Sequence, residues 1–332
     1  MAAVKSPIPD NVTEEYYQIS QEILVSFPKY RPPLDFFRFR ESIATLEPFS
    51  RKGQRLSNQQ VEELAALCEQ GVLFVARSDH PIYSTHICKQ LDLVLVDANL
   101  REAEIADIFI KAFNMRLEAF FDQPVQMVFD ALYRDIMVLT EYLAQDVHRI
   151  RALMRRLQTK HSLVTHSVNC GVAGLWLLLM WRKGDVKRRE LDRSAMAAFL
   201  HDMGMCKIPS FITTKALPLT QEERGKINTH PGAGLKLAEK LGLAYDEMKQ
   251  AIVEHHERLD GSGYPRRISE GDISNFGKLM AVADSFCAMI TDRPYATAMP
   301  PKDAAKALLD DGDRYDSRFA RLLHTAFVSS EL

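Results

Sequence analysis

Residues His255 to Pro265 read HHERLDGSGYP. Two adjacent imidazoles close an apolar-periodic segment near 245–257, and the cluster Gly261 to Pro265 supplies the turn residues that stop it. Taken alone, a His-His pair is a solvated face or a helix terminus. The upstream chain alters the weighing. His161, His166, His201 and His230 precede the pair, Asp202 follows His201 directly, and Asp284 lies in the helical stretch AVADSF. Imidazole nitrogens and carboxylate oxygens are the donors that iron, manganese, zinc and nickel sites use, and one carboxylate can bridge two ions. Asp284 sits in an otherwise apolar run, Leu279 to Met289, where an unpaired charge costs several kcal/mol. Metal ligation is one way to pair it.

Outward from this run the pattern is helical. Segments near 163–182, 190–203, 220–241, 245–257, 272–291, 302–310 and 316–327 are separated by Gly184, Pro209, Pro218, Gly242 and the glycine-proline cluster. No strand pattern competes with them, so an all-α domain is expected, a scaffold whose facing helices project ligands inward. Before it, Asp122 and Pro124 stand where an N-cap and an early helical proline belong. Val128, Leu132, Ile136, Leu139, Leu143, Val147, Ile150, Met154 and Leu157 then recur at near-heptad spacing. This predicts one long helix over 122–160, a stiff connector that either dimerises or packs on its own domain.

Residues 1–121 read as a small α+β domain. Ser57 and Gln60 form a capping-box signature for a helix running to Gln70, with Gly71 as its stop. Val72 to Ala76 has the length and composition of a strand, Val94 to Val96 is a second candidate, and 102–121 turns helical. Tyr16 to Val25 is helix or short strand, and Phe27 to Pro33 is a prolyl break. No motif here converts into chemistry.

Composition bounds the rest. With 42 Lys+Arg against 44 Asp+Glu over 332 residues, the chain lacks the basic excess of a binder of polymeric nucleic acid. At 46% hydrophobic it is no disordered chain. The longest apolar stretch, Gly171 to Trp181, falls short of the ~20 residues that span a bilayer, and no secretory h-region opens the sequence. Five scattered cysteines without a C-x-x-C pair read as buried small hydrophobes in a reducing compartment. The expectation is a soluble cytoplasmic protein with no membrane partner.

The HD pair at His201-Asp202, followed by HHExxDGxGYP, resembles the HD-GYP family of bacterial cyclic-di-GMP phosphodiesterases, a branch of the HD metal-dependent phosphohydrolases. The flanking text agrees: His166 opens HSVN, His201 ends AAFLHD, Lys215 precedes LT and two Glu, His230 opens HPGAG, and Asp284 leads into RPY at 293–295. The resemblance covers roughly 130–327. It implies an all-α HD-type catalytic domain at 161–332, behind the connecting helix (122–160) and a regulatory α+β domain (1–121) of unknown ligand. It also implies that His166, His201, Asp202 and Asp284 hold one divalent ion and that Asp202, His230, His255 and His256 hold a second, with Asp202 bridging. Some members hold a third ion through a Glu four residues before the first His; Ser162 stands there, so two ions are expected. Iron or manganese comes first among candidates, and zinc and nickel suit the same donors.

The chemistry implied is phosphodiester hydrolysis. Two ions about 3.5–4 Å apart share a water, lower its pKa and present hydroxide in line with the scissile bond. Cyclic-di-GMP would open to pGpG, and a second cut would yield GMP. Catalysis would fall to Asp202, and Lys215, Gly263, Tyr264 and Arg293 are the candidate substrate contacts. The chain departs from the family at two positions. Met205 replaces the lysine of HD-x-G-K, and Ala296 stands where a basic residue often follows RPY. Lys207 could stand in for that lysine as a catalytic residue if a loop forms there, since on a helix the shift turns the side chain by roughly 200°. Losing a charged hydrogen bond typically costs about 1.5–3 kcal/mol. Three readings follow: an active homodimeric phosphodiesterase on a cyclic dinucleotide; a silent module binding nucleotide or a diguanylate cyclase; or a phosphohydrolase on another nucleotide. Seven filled ligand positions favour the first.

Overall fold

The computed structural model describes residues 10–329 apart from 98, 216, 294 and 295. It divides into two units, Met1–Ala112 and Phe113–Leu332.

The first unit is the α+β body expected. Its strands β1 (Tyr16–Gln18), β2 (Phe36–Arg40), β3 (Thr45–Ser50) and β4 (Leu73–Ala76) form one antiparallel sheet in the order β1-β4-β2-β3. Strand β4 is central, and Leu73, Phe74 and Val75 are all buried, which is why it reads as an unbroken apolar run rather than an alternating one. Around the sheet lie α1 (Asp10–Glu15), α2 (Gln21–Ser26), α3 (Asn58–Glu69) and α4 (His80–Ile87), and the unit ends within α5 (Glu102–Asp122). The Ser57–Gln60 capping box is formed in both directions at the start of α3. Tyr16 to Val25 resolves into both alternatives, β1 and then α2. The strand expected at 94–96 is not formed: Leu91–Leu95 is a 3-10 turn whose Leu91, Leu93 and Val94 are buried, a spacing that such a turn serves as well as a strand does.

The second unit is helical throughout: α6 (Gln126–Gln145), α7 (Ile150–Met154), α8 (Leu163–Trp181), α9 (Arg188–Leu200), α10 (Ser210–Thr213), α11 (Gln221–Ile227), α12 (His230–Lys240), α13 (Asp246–Glu254), α14 (Asn275–Met289), α15 (Pro301–Asp310) and α16 (Ser317–Val328). Helix α8 is long and apolar enough by composition to cross a membrane, but its apolar surface is mostly buried against α9, α14 and α16. It is the core helix of this unit.

The single connecting helix at 122–160 is corrected. Asp122 ends α5, Val125 is the N-cap of α6, and α6 stops at Asp146, whose backbone is extended (φ −155°, ψ 110°) and whose side-chain carboxylate accepts the His148 N–H. Pro124 therefore separates two helices instead of opening one. Of the two readings of the stripe, packing on its own domain is the one the chain forms. Leu132, Ile136, Leu139 and Leu143 are fully buried within the chain, where α6 packs on α9, and Ile150 and Met154 are buried where α7 packs on α8. At these positions the stripe is covered by its own domain.

Candidate metal centre

Glycines set the spacing of the elements that carry the histidines. His166 lies in the first turn of α8, capped by Ser162, whose hydroxyl accepts the Thr165 N–H at 3.0 Å. Opposite it, α9 ends at His201. A Cβ on Gly171 would fall 2.3 Å from the Phe199 ring, so only glycine admits α9 at this distance. Asp202 opens the 3-10 turn Met203–Lys207, whose Gly204 lies against α12: a Cβ there would be 2.0 Å from the His230 carbonyl and 2.6 Å from the Gly234 nitrogen. This contact brings Asp202 to His230, the first residue of α12. Finally, Glu254 at the end of α13 accepts the Ser274 N–H (3.0 Å) and hydroxyl (2.6 Å) at the N-cap of α14. His255 and His256 follow Glu254, and Asp284 faces them from α14.

All seven histidines and aspartates expected as ligands meet in one place. His201 and His255 are fully buried, and Asp202 and Asp284 are 7% and 5% exposed. The two oxygens of Asp202 face different histidine pairs. Oδ2 lies 3.6 Å from His166 Nε2 and 3.9 Å from His201 Nε2, whereas Oδ1 lies 3.1 Å from His230 Nε2 and 3.4 Å from His255 Nε2. Asp284 Oδ1 is 2.9 Å from His166 Nε2 and 3.9 Å from His201 Nε2, and its Oδ2 is 3.5 Å from His256 Nδ1. The donor atoms form two groups, each within 4.8 Å: His166, Cys170, His201 and Asp284, and Asp202, His230, His255 and His256.

Backbone carbonyls decide which ring nitrogens face the cluster. The Nδ1–H groups of His201, His230 and His255 donate to Ala198 (2.9 Å), Ile227 (2.8 Å) and Ala251 (2.7 Å), each a turn back along the chain. Their Nε2 lone pairs are left facing inward. His230 Nε2 and His255 Nε2 then stand 3.2 Å apart, a separation that calls for a proton or a metal ion between or beside them. His201 Nε2, fully buried, has no hydrogen-bond partner among the described residues. A divalent ion on each side of Asp202 would satisfy these atoms, so the donor set fits two metals.

The electrostatics agree. Burial would raise the carboxyl of Asp202, but the charge of His201 and the hydrogen bonds from His230 and His255 hold it well below the usual range. Asp284 is likewise depressed, its burial outweighed by His256 and His166. Burial, helped by the charges of His255 and His166, takes His201 down to about 4, and burial with neighbouring His255 pushes His256 well below the ordinary imidazole value. In His166 and His230 burial is outweighed by the carboxylates of Asp284 and Asp202, and both are raised. Both carboxylates therefore stay ionised, and the imidazoles compete to neutralise them.

The expected substrate contacts fare unevenly. Tyr264 lies against the cluster, its ring 4.6 Å from that of His256 and tilted by 31°. Gly263 packs on backbone: a Cβ there would lie 2.5 Å from both Glu257 Cα and the His256 carbonyl oxygen, so only glycine holds Tyr264 in this place. Lys207 is corrected as well. The 3-10 turn advances about 120° per residue, which carries Lys207 about 240° round from Met205, and it is exposed while Met205 is half-buried. Lys215 donates to both carboxylate oxygens of Glu223 at 2.8 Å, so its charge is already paired. Arg293 is half-buried, and its backbone pairs with that of Ala296. Its charge is near enough to help burial bring His161 down to about 4. Pro294 and Tyr295 of the RPY motif lie outside the described residues.

Three residues escaped the sequence reading. Cys170 is one turn beyond His166, its Sγ 3.5 Å from His166 Nε2, and the i, i+4 spacing was the available signal. Glu254 and Glu257 are buried acids flanking the histidine pair. Glu257 accepts the Arg266 N–H at 2.7 Å and the Ile268 N–H at 3.2 Å, which anchors the loop carrying Tyr264.

A helical body around a buried cluster of imidazoles and carboxylates that could hold two ions defines a class of metal-binding helical proteins. The HD domain family matches residues 140–319, and the chain belongs to that family; its HD and GYP motifs put it in the HD-GYP branch. It is 39% identical over 113 residues to a cyclic di-GMP phosphodiesterase of Thermotoga maritima (34% of this chain, 31% of the relative). It is 39% identical over 125 residues to the cyclic di-GMP phosphodiesterase response regulator RpfG of Xanthomonas campestris (37% and 33%). A 3′3′-cGAMP-specific phosphodiesterase 3 of Vibrio cholerae is 33% identical over 115 residues (35% and 25%). The chain thus spans a third or less of the length of these relatives. The solved structure of Bd1817, an HDG"Y"P protein from Bdellovibrio bacteriovorus, has the same fold, with a TM-score of 0.61 at 16% identity over 94% of this chain and 99% of that one.

Proposed function

We propose that this chain hydrolyses a cyclic dinucleotide, cyclic-di-GMP first, as a two-metal phosphodiesterase of the reducing cytoplasm. The observation that carries the reading is Asp202, whose two oxygens reach toward separate histidine pairs as a bridging carboxylate must. One ion would be held by His166, His201, Asp202 and Asp284, and the other by Asp202, His230, His255 and His256. Iron and manganese suit these donors, as do zinc and nickel. Bound there, the ions would lower the pKa of a water and neutralise charge on the scissile phosphate.

The chain's own residues would do the rest. Carbonyls behind His201, His230 and His255 hold the imidazoles in the tautomer that ligates. Tyr264, beside His256 at the half-exposed side of the cluster, offers a ring on which a guanine base could stack. The relatives named for cyclic di-GMP and for 3′3′-cGAMP support the substrate class.

The test is turnover of cyclic-di-GMP and 3′3′-cGAMP by protein purified without oxygen and loaded with Fe(II) or Mn(II), products separated by chromatography. Linear pGpG is expected, with Asp202→Ala lowering the rate at least about a hundredfold. No turnover of either nucleotide by the two-metal protein would overturn the reading. Met205 favours a second one, because neither Lys207 nor Lys215 replaces the missing charge. In that case the domain binds a cyclic dinucleotide, or a diguanylate cyclase, and does not cut; nucleotide binding by equilibrium dialysis without product formation distinguishes it.

A further inference from the structure

Cys170 stands among the ligands of one of the two ions and has no place in the ligand set above. Its Sγ lies within 4.8 Å of donor atoms of His166, His201 and Asp284, and 3.5 Å from His166 Nε2. A thiolate about 2.3 Å and an imidazole about 2.0 Å from one tetrahedral ion are themselves about 3.5 Å apart. The same space receives His201 Nε2, fully buried and without a hydrogen-bond partner among the described residues. The sulfur is as deeply buried, so water does not compete with it for an ion there.

We propose that Cys170 is a ligand of the ion held by His166, His201 and Asp284, an inference that rests on the two-ion reading above. On ligation the S–H bond breaks, a sulfur–metal bond forms, and the proton leaves to solvent. A soft thiolate in place of a further oxygen donor favours iron or zinc over manganese at this position, while the His/Asp group around His230 keeps no such bias.

Cobalt(II) reports the sulfur directly, through a thiolate-to-cobalt charge-transfer band in the near ultraviolet that nitrogen and oxygen donors do not give. The full chain and its Cys170→Ser and Cys287→Ser variants are titrated with Co(II), and bound metal is counted. The proposal expects two ions per chain in all three proteins. It expects the band in the unsubstituted chain and in Cys287→Ser, and its complete loss in Cys170→Ser. If Cys170→Ser does not fold, Cys170→Ala is read in its place. Two bound ions without the band, or a band that survives at position 170, would overturn the proposal and leave the two-ion reading standing. Failure of the unsubstituted chain to bind two ions would overturn both.

Discussion

Asp202 reaches both histidine pairs because Gly204 lets the 3-10 turn lie on α12. In Gly204→Ala the new Cβ would meet backbone of His230 and Gly234, not a side chain that can turn aside. The turn must move, at a cost of about 1–3 kcal/mol. The expected result is a lower melting temperature together with loss of one of two bound ions in a metal titration. Glu257 gives a second prediction. Its carboxylate is the acceptor for two backbone N–H groups of the loop after Tyr264, and Glu257→Ala strands both at about 1–3 kcal/mol apiece. Hydrogen exchange should quicken at Arg266 and Ile268, and the KM for the nucleotide should rise as Tyr264 loses its support.

Helix α6 illustrates what periodicity does and does not say. The heptad-like stripe correctly marks the buried face, but the partner of that face is α9. Ile136→Ala should therefore destabilise the chain by about 2–4 kcal/mol in urea unfolding, with no change in molar mass by light scattering. A change in oligomeric state would mean that the stripe has a partner outside the chain. At the other end of the unit Asp316 caps α16, accepting the Arg318 N–H at 2.9 Å and its guanidinium at 2.7 Å. Burial opposes the charge, but these bonds prevail, so its pKa lies below the ordinary carboxylate value. A depressed folded pKa stabilises above the unfolded value of about 3.9 and loses that contribution as pH falls below it. Asp316→Ala should accordingly cost about 1 kcal/mol at pH 7, and the gap to the unsubstituted chain should narrow by pH 3.

For the molecule as a whole, the metal centre ties together α8, α9, α12, α13 and α14, elements far apart in sequence. Two buried carboxylates and five imidazoles crowded into one site leave charge and lone pairs incompletely paired until cations arrive. Chelation should lower the melting temperature of the second unit, and each ion restored at a hundred times its Kd should return about 2.7 kcal/mol. Calorimetry with and without chelator checks this, and hydrolysis should vanish and return with the same titration.

By itself the sequence determined the helical class of the second unit, the α+β class of the first, and the seven residues that meet at the centre. The two classes follow from local rules, apolar period and glycine-proline punctuation; the seven residues follow from the resemblance that the HD and GYP motifs carry. Only the tertiary structure decided that Lys207 turns away from Met205, that Lys215 is held by Glu223, that Gly263 packs on backbone, and that Cys170 joins the ligand cluster. Periodicity tells which side of an element is buried, but a side chain's partner is chosen by how the chain folds back on it: Glu223 meets Lys215 from α11, eight residues on, whereas Asp284 joins the Cys170 cluster from α14, more than a hundred residues on.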